Sequence, residues 1–156
     1  VIEISIPGLG EQQFEHVVLD VNGTLAGDGR LLEGVQERLN RLGQLVQIHL
    51  ITADTHGAQA IIDQQLGLTA IRIPPANQAD AKLAYIHQLG PHTVVAIGNG
   101  ANDCLMLQHA ALGIVVIGQE GAAVETLLRA KVVVNDVRAA LELLLYPSRL
   151  IATLRR

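Results

Sequence analysis

The sequence predicts an α/β domain built on a doubly wound, mostly parallel sheet. Three observations carry that expectation. Short runs rich in Val and Ile recur along the chain, each bounded by Gly, Pro, Asn or Asp. Segments with helical spacing of apolar residues lie between them. The runs are continuously apolar rather than alternating, the pattern of strands covered by helices on both faces.

In chain order, residues 1–6 alternate weakly and, ahead of the turn at Pro7-Gly8, are expected to form an edge strand. Residues 17–21 (VVLDV) give the first core strand, and 46–52, 70–73, 94–98, 113–117 and 131–134 give the others. Helices are expected over 33–42, 57–66, 78–89, 102–110, 122–130 and 137–145. The tail from 147 to 156 sets Leu150, Ile151 and Leu154 among Arg149, Arg155 and Arg156, and packing on the domain is the favoured reading. The whole chain reads as one domain.

Composition narrows the function. Of 156 residues, 49% are hydrophobic and 17% charged, which excludes a disordered chain. Phe14, Tyr85 and Tyr146 are the only aromatic residues, too few to stack a row of bases. A net charge of -4 also lacks the basic footprint of a nucleic-acid binder. Cys104, the one cysteine, rules out a disulfide framework and a cysteine-ligated zinc site, and the six histidines show no close ligand spacing. No apolar run is long enough to span a bilayer, and no signal peptide is visible at the amino terminus. A cytoplasmic protein that engages neither membrane nor nucleic acid is expected.

In a doubly wound sheet, ligands bind beyond the carboxyl ends of the strands. There the sequence places Asp20-Val21-Asn22-Gly23-Thr24-Leu25, then Thr52-Ala53-Asp54, and Gly98-Asn99-Gly100-Ala101-Asn102-Asp103, with Lys82 near the start of a later helix. Singly these are a turn, a cap, another turn and a solvated lysine; His56 reads as a helix-start residue without a role. Together they are a kit for phosphoryl transfer. Asp20 can attack phosphorus and form an aspartyl phosphate. Mg2+ would offset the repulsion between two anions, with Asp20 and Asp103 as carboxylate ligands. Thr52 and Lys82 can hold the phosphoryl oxygens, and Gly23, Gly98 and Gly100 let backbone come close to them.

These four segments, in this order, resemble the motifs of the haloacid-dehalogenase-like hydrolase superfamily. Within it the sequence is similar to the phosphorylation domain of P-type ATPases, through Thr52-Ala53-Asp54, the segment 98–103, and Gly113-Ile114 with Gly118 after it. The resemblance implies Asp20 as nucleophile and Mg2+ held by Asp20, the Asn22 backbone carbonyl, Asn99 and Asp103. It also exposes two departures. Position 22, usually an aspartate that serves as general acid and base in phosphatases of the superfamily, is Asn22. Position 99, usually an acidic metal ligand, is Asn99. The first removes a contribution typically worth ~10²–10⁴-fold in rate, and the second removes a charge from the metal site.

Two readings follow: a slow Mg2+-dependent phosphatase, or a catalytically silent binding or regulatory module on the same fold. Only 31 residues separate Asp20 from Thr52 and 29 separate Thr52 from Lys82, too few for a cap or a nucleotide-binding domain. ATP-driven transport is therefore not expected. Capless members of the superfamily shield the site with a second copy or act on macromolecules, so a homo-oligomer and a phosphorylated small-molecule or protein substrate are the expected partners. Asn22-Gly23 and Asn99-Gly100 are both steps prone to deamidation, which at position 22 would create the missing acid.

Overall fold

The amino terminus does not join the main sheet. In the computed structural model, which describes residues 1–53 and 58–156, β1 (Ile2–Ile6) pairs antiparallel with β2 (Gly10–Phe14) as a sheet of its own. The expected edge strand is thus one arm of a hairpin. The second arm, Gly-Glu-Gln-Gln-Phe, is polar and buries only Phe14, so periodicity does not reveal it. Ile2, Ile4 and Ile6 of the first arm lie on the same face as Phe14 and are buried with it in the core.

The core sheet begins with β3 (His16–Asp20). A short flap follows, β4 (Ala26–Gly27) against β5 (Arg30–Leu31), and then α1 (Val35–Leu42). The chain continues through β6 (Gln47–Thr52), α2 (Ala58–Leu66), β7 (Ile71–Arg72) and α3 (Gln78–Leu89) to β8 (Val94–Gly98). After a turn of 3-10 helix come α4 (Cys104–His109), β9 (Leu112–Val116), α5 (Val124–Leu127) and β10 (Val132–Val134). Two helices, α6 (Val137–Leu145) and α7 (Pro147–Leu154), close the chain. Asp54 and His56 lie outside the described residues.

The six core strands run parallel in the order β10-β9-β8-β3-β6-β7. From β3 the chain winds outward through β6 and β7, then returns to lay β8 on the other side of β3. This puts the switch point of strand order at β3. Alternate residues of the same strands serve two cores. Val17, Leu19, Val95, Ile97 and Ile114 pack with α1, α6 and α7, whereas Val18, Val94, Ala96 and Val115 pack with α3 and α4. Both faces are covered, which is why the strands read as unbroken apolar runs.

The tail packs as α7, with Leu150 buried and Ile151 and Leu154 against the same core. It reaches the hairpin, where Arg156 N–H donates to the Pro7 carbonyl at 2.9 Å. The expected helix 122–130 is a single turn, because the N–H groups of Arg129 and Ala130 both bond Thr126 O and the chain then turns into β10. Only the flap and α1 lie between β3 and β6, so no cap domain is inserted there. No helix among the described residues is long and apolar enough to cross a membrane.

Candidate active site

Asp20, Thr52 and Gly98 are the last residues of β3, β6 and β8, three neighbouring strands at the switch point. Topology therefore delivers them to one place. Lys82 enters from the first half of α3, fully buried. Its Nζ donates to Asp20 Oδ1 at 2.7 Å, to Asp103 Oδ1 at 2.6 Å and to Asn102 Oδ1 at 3.3 Å. One cation thus bridges two buried carboxylates, a geometry that compensates charges otherwise costly to bury.

Burial pushes the Asp20 carboxyl up to about 7, helped by the charge of Asp103 and opposed by Lys82 and by hydrogen bonds from Lys82 and Thr24. For Lys82, burial alone pulls its pKa down, but Asp20 and Asp103 outweigh it and hold the ammonium above its ordinary value. The cluster carries one more carboxylate than cation, the balance a site for a bound cation needs.

A cavity of about 190 Å³ opens over this cluster, walled by Asp20, Asn22, Thr52, Asn99, Asn102 and Glu120 among others. Asn22 Nδ2 donates to Thr52 Oγ1 at 3.5 Å. Thr24 Oγ1 stands 3.4 Å from Asp20 Oδ2 and 3.3 Å from Asn99 Oδ1, so those two oxygens converge on one point. A hydroxyl has one proton and cannot donate to both. Among the described residues the cavity offers hard oxygen donors, without sulfur or imidazole, a set that suits Mg2+. Among the described residues no three His, Cys, Asp or Glu side chains form a single cluster. Amide and carbonyl oxygens must complete any such set.

Asp103, expected to be a metal ligand, sits behind the cavity. Lys82 takes its Oδ1, while its Oδ2 accepts the backbone N–H groups of Asn99 at 2.9 Å and Gly100 at 3.0 Å. It buttresses Lys82 and shapes the loop that carries Asn99. The glycine at 98 makes this fit: an added Cβ would lie 2.5 Å from both Cγ and Oδ2 of Asp103. Gly98→Ala is therefore expected to destabilise the protein by about 1–3 kcal/mol, read from urea unfolding, as overpacking does elsewhere. A variant as stable as wild type would mean that Asp103 is not held in this way.

The cavity also contains a residue that motif reading misses. Glu120 comes from the turn after β9, beyond the last of the four motifs and two residues after Gly118, and no local sequence signal marks it as part of the site.

A family model for haloacid dehalogenase-like hydrolases matches residues 3–111. An uncharacterized protein of Methanocaldococcus jannaschii, MJ0073, is 48% identical over 79 residues, which are 48% of this chain and 85% of that protein. A stretch of 50 residues is 40% identical to the phospholipid-transporting ATPase tat-1 of Caenorhabditis elegans, 32% of this chain but 4% of that protein. The fold is similar to 3-deoxy-D-manno-octulosonate 8-phosphate phosphatase from Moraxella catarrhalis, solved with magnesium, phosphate and KDO. The TM-score is 0.66 at 20% identity, over 90% of this chain and 92% of that one. The family match runs from β1 to the residue before β9 and takes in every strand end that walls the cavity, so the chain belongs to the haloacid dehalogenase-like hydrolase family.

Proposed function

We propose that the protein is a slow, Mg2+-dependent phosphatase of small phosphorylated molecules, with Asp20 as its nucleophile. The observation that carries this reading is the Asp20 carboxylate on the cavity wall, hydrogen-bonded at 2.7 Å to a lysine with no exposure of its own. Lys82 opposes the upward push of burial on Asp20 and so favours the ionised carboxylate that attacks. A carboxylate oxygen of Asp20 forms the bond to phosphorus as the bond to the leaving oxygen breaks, giving an acyl phosphate on Asp20. Water then attacks that phosphorus, returns the carboxylate and releases inorganic phosphate.

Thr52 hydroxyl, at the end of β6, orients the phosphoryl oxygens. Asp20, Asn99 and the Asn22 backbone carbonyl would hold Mg2+, with Asp103 lending charge from behind. When bound, the ion supplies Lewis-acid stabilisation of the phosphoryl oxygens. With Asn22 on the wall where an acid would serve, no side chain at that position gives a proton to the leaving oxygen or takes one from water, so both steps are slow.

Room for a small substrate supports the reading. A second cavity of about 590 Å³ lies beside the first, bounded by the flap and by the loops after β9 and β10, and Glu120 borders both. It would take the body of the substrate while the phosphoryl group enters the smaller one. The phosphatase from Moraxella catarrhalis is named for a phosphorylated sugar acid, a molecule of that kind.

The test is hydrolysis of p-nitrophenyl phosphate with and without Mg2+. Wild type is expected to turn over slowly and to stop with EDTA, and Asp20→Asn should fall to the assay blank. Activity that survives Asp20→Asn overturns the nucleophile. An inactive wild type that shows no Mg2+-dependent change in Tm would instead favour a silent binding module, the reading that Asn22 and Asn99 support.

A further inference from the structure

We propose that Glu120 supplies the negative charge that position 99 lacks, accepting hydrogen bonds from the water shell of the Mg2+ held by Asp20, Asn99 and the Asn22 carbonyl. The inference rests on the phosphatase reading above and extends it to a residue outside the family's motifs.

Three features of the structure carry it. First, the Glu120 carboxylate and the Asn99 side chain meet at one spot. A Cβ built on Gly23 would lie 2.2 Å from Glu120 Oε2 and 2.9 Å from Asn99 Nδ2, so both groups fill the space that a side chain at 23 would take. Gly23 has φ +75°, a backbone that disfavours other residues there and keeps this space open.

Second, the turn that carries Glu120 is tied to Asn99 itself. Gly121 N–H closes the turn onto Gly118 O at 2.9 Å, and Asn99 Nδ2 donates to Gly121 O at 3.2 Å. Ala123 N–H donates to Asn99 O at 2.9 Å. Side chain and backbone of residue 99 thus both grip the segment 121–123, which fixes where Glu120 stands relative to the site.

Third, the Glu120 side chain has no hydrogen bond and no ion pair among the described residues, although it borders the cavity of Asp20 and Asn99. A carboxylate with no partner among the described residues, on the cavity wall beside the Asn99 side chain, adds charge near the position where the family's acidic ligand would stand. As its side chain lies it does not form one cluster with Asp20 and Asp103. Contact through water therefore fits better than direct ligation, and Mg2+ keeps several waters when bound by few protein oxygens.

The experiment measures metal affinity without substrate. Mg2+ is titrated calorimetrically into metal-free wild type, Glu120→Gln, Asn99→Asp, the double variant and Asp20→Asn. Mn2+ binding followed by electron paramagnetic resonance serves as a second probe. Glu120→Gln should weaken Mg2+ binding roughly 10–100-fold, the usual cost of losing an outer partner of a metal site. Its metal-free Tm should stay at the wild-type value, because the side chain is exposed and has no partner among the described residues. Asn99→Asp should tighten binding, and in that background Glu120→Gln should cost less, since the two carboxylates would do the same task. Wild-type affinity in Glu120→Gln, with binding abolished in Asp20→Asn, would overturn the role of Glu120 and leave the phosphatase reading standing. No binding by wild type would overturn both.

Discussion

Asn22→Asp is expected to raise Mg2+-dependent phosphatase activity by about 10²–10⁴-fold, the usual worth of a placed general acid and base. That is ~3–5 kcal/mol of barrier, among the largest gains a single substitution can bring. The geometry is already in place. Asn22 lies on the cavity wall with Asp20, and its Nδ2 is within reach of Thr52 Oγ1. The backbone around it is fixed: Val21 O accepts three N–H groups, from Thr24, Leu25 and Ala26, and Gly23 N–H donates to Ala26 O at 3.0 Å. An aspartate is isosteric with asparagine and needs no rearrangement. Because acid helps the first step and base helps the second, poor leaving groups such as alkyl phosphates should gain more than p-nitrophenyl phosphate. The gain must vanish when Asp20→Asn is added. A steady-state rate no faster than wild type on both kinds of substrate would show that position 22 does not set the rate. Deamidation is a necessary control, since it makes the same residue; the Gly23 nitrogen that would attack the Asn22 side chain is held in a hydrogen bond, which resists cyclisation.

The fold was largely legible, because its evidence is local. All six core strands start at or next to their expected first residues, inside the usual margin for boundaries, and β7 is the inner pair of its expected run. The helices α3 and α6 occupy the expected 78–89 and 137–145. What escaped was what is not periodic. The arm β2 buries one side chain of five, so its pairing depends on β1 and on the turn between them, not on its own sequence. The site divides in the same way. Asp20, Thr52 and Asn99 sit in motifs at or just after the ends of three strands that are neighbours in the sheet, and Lys82 in the helix that leads into β8. The direction in which Asp103 points could not be read, because it is decided by the missing Cβ of Gly98 and two backbone N–H groups. Glu120 was invisible for a further reason: only the folded path from β9 back over Gly23 brings it to the cavity.

Lys82→Met should lower stability by about 3–5 kcal/mol, the usual cost of breaking a buried ion pair from one side. Methionine can fill the space along the lysine stem, so the loss is one of charge. Asp20 and Asp103 would then face each other in the core without their shared cation. The sign of the pH dependence follows. A carboxyl whose folded pKa is raised binds its proton more tightly folded than unfolded, so its contribution to stability falls as pH rises from the unfolded value toward the folded one. In wild type Asp20 spans such a window, from 3.8 to about 7. Removing Lys82 takes away the one group that opposes this shift by charge and by hydrogen bond, and the window extends upward. Urea unfolding should therefore show a small penalty for Lys82→Met at about pH 5, where the orphaned Asp20 carboxylate takes up a proton, and a large one at about pH 8. A penalty equal at both pH values would assign the loss to packing instead. Adding Asp20→Asn to Lys82→Met separates the two causes. It removes one uncompensated charge without touching the volume at position 82, so stability at the higher pH should recover in part, and only if charge is what the lysine balances.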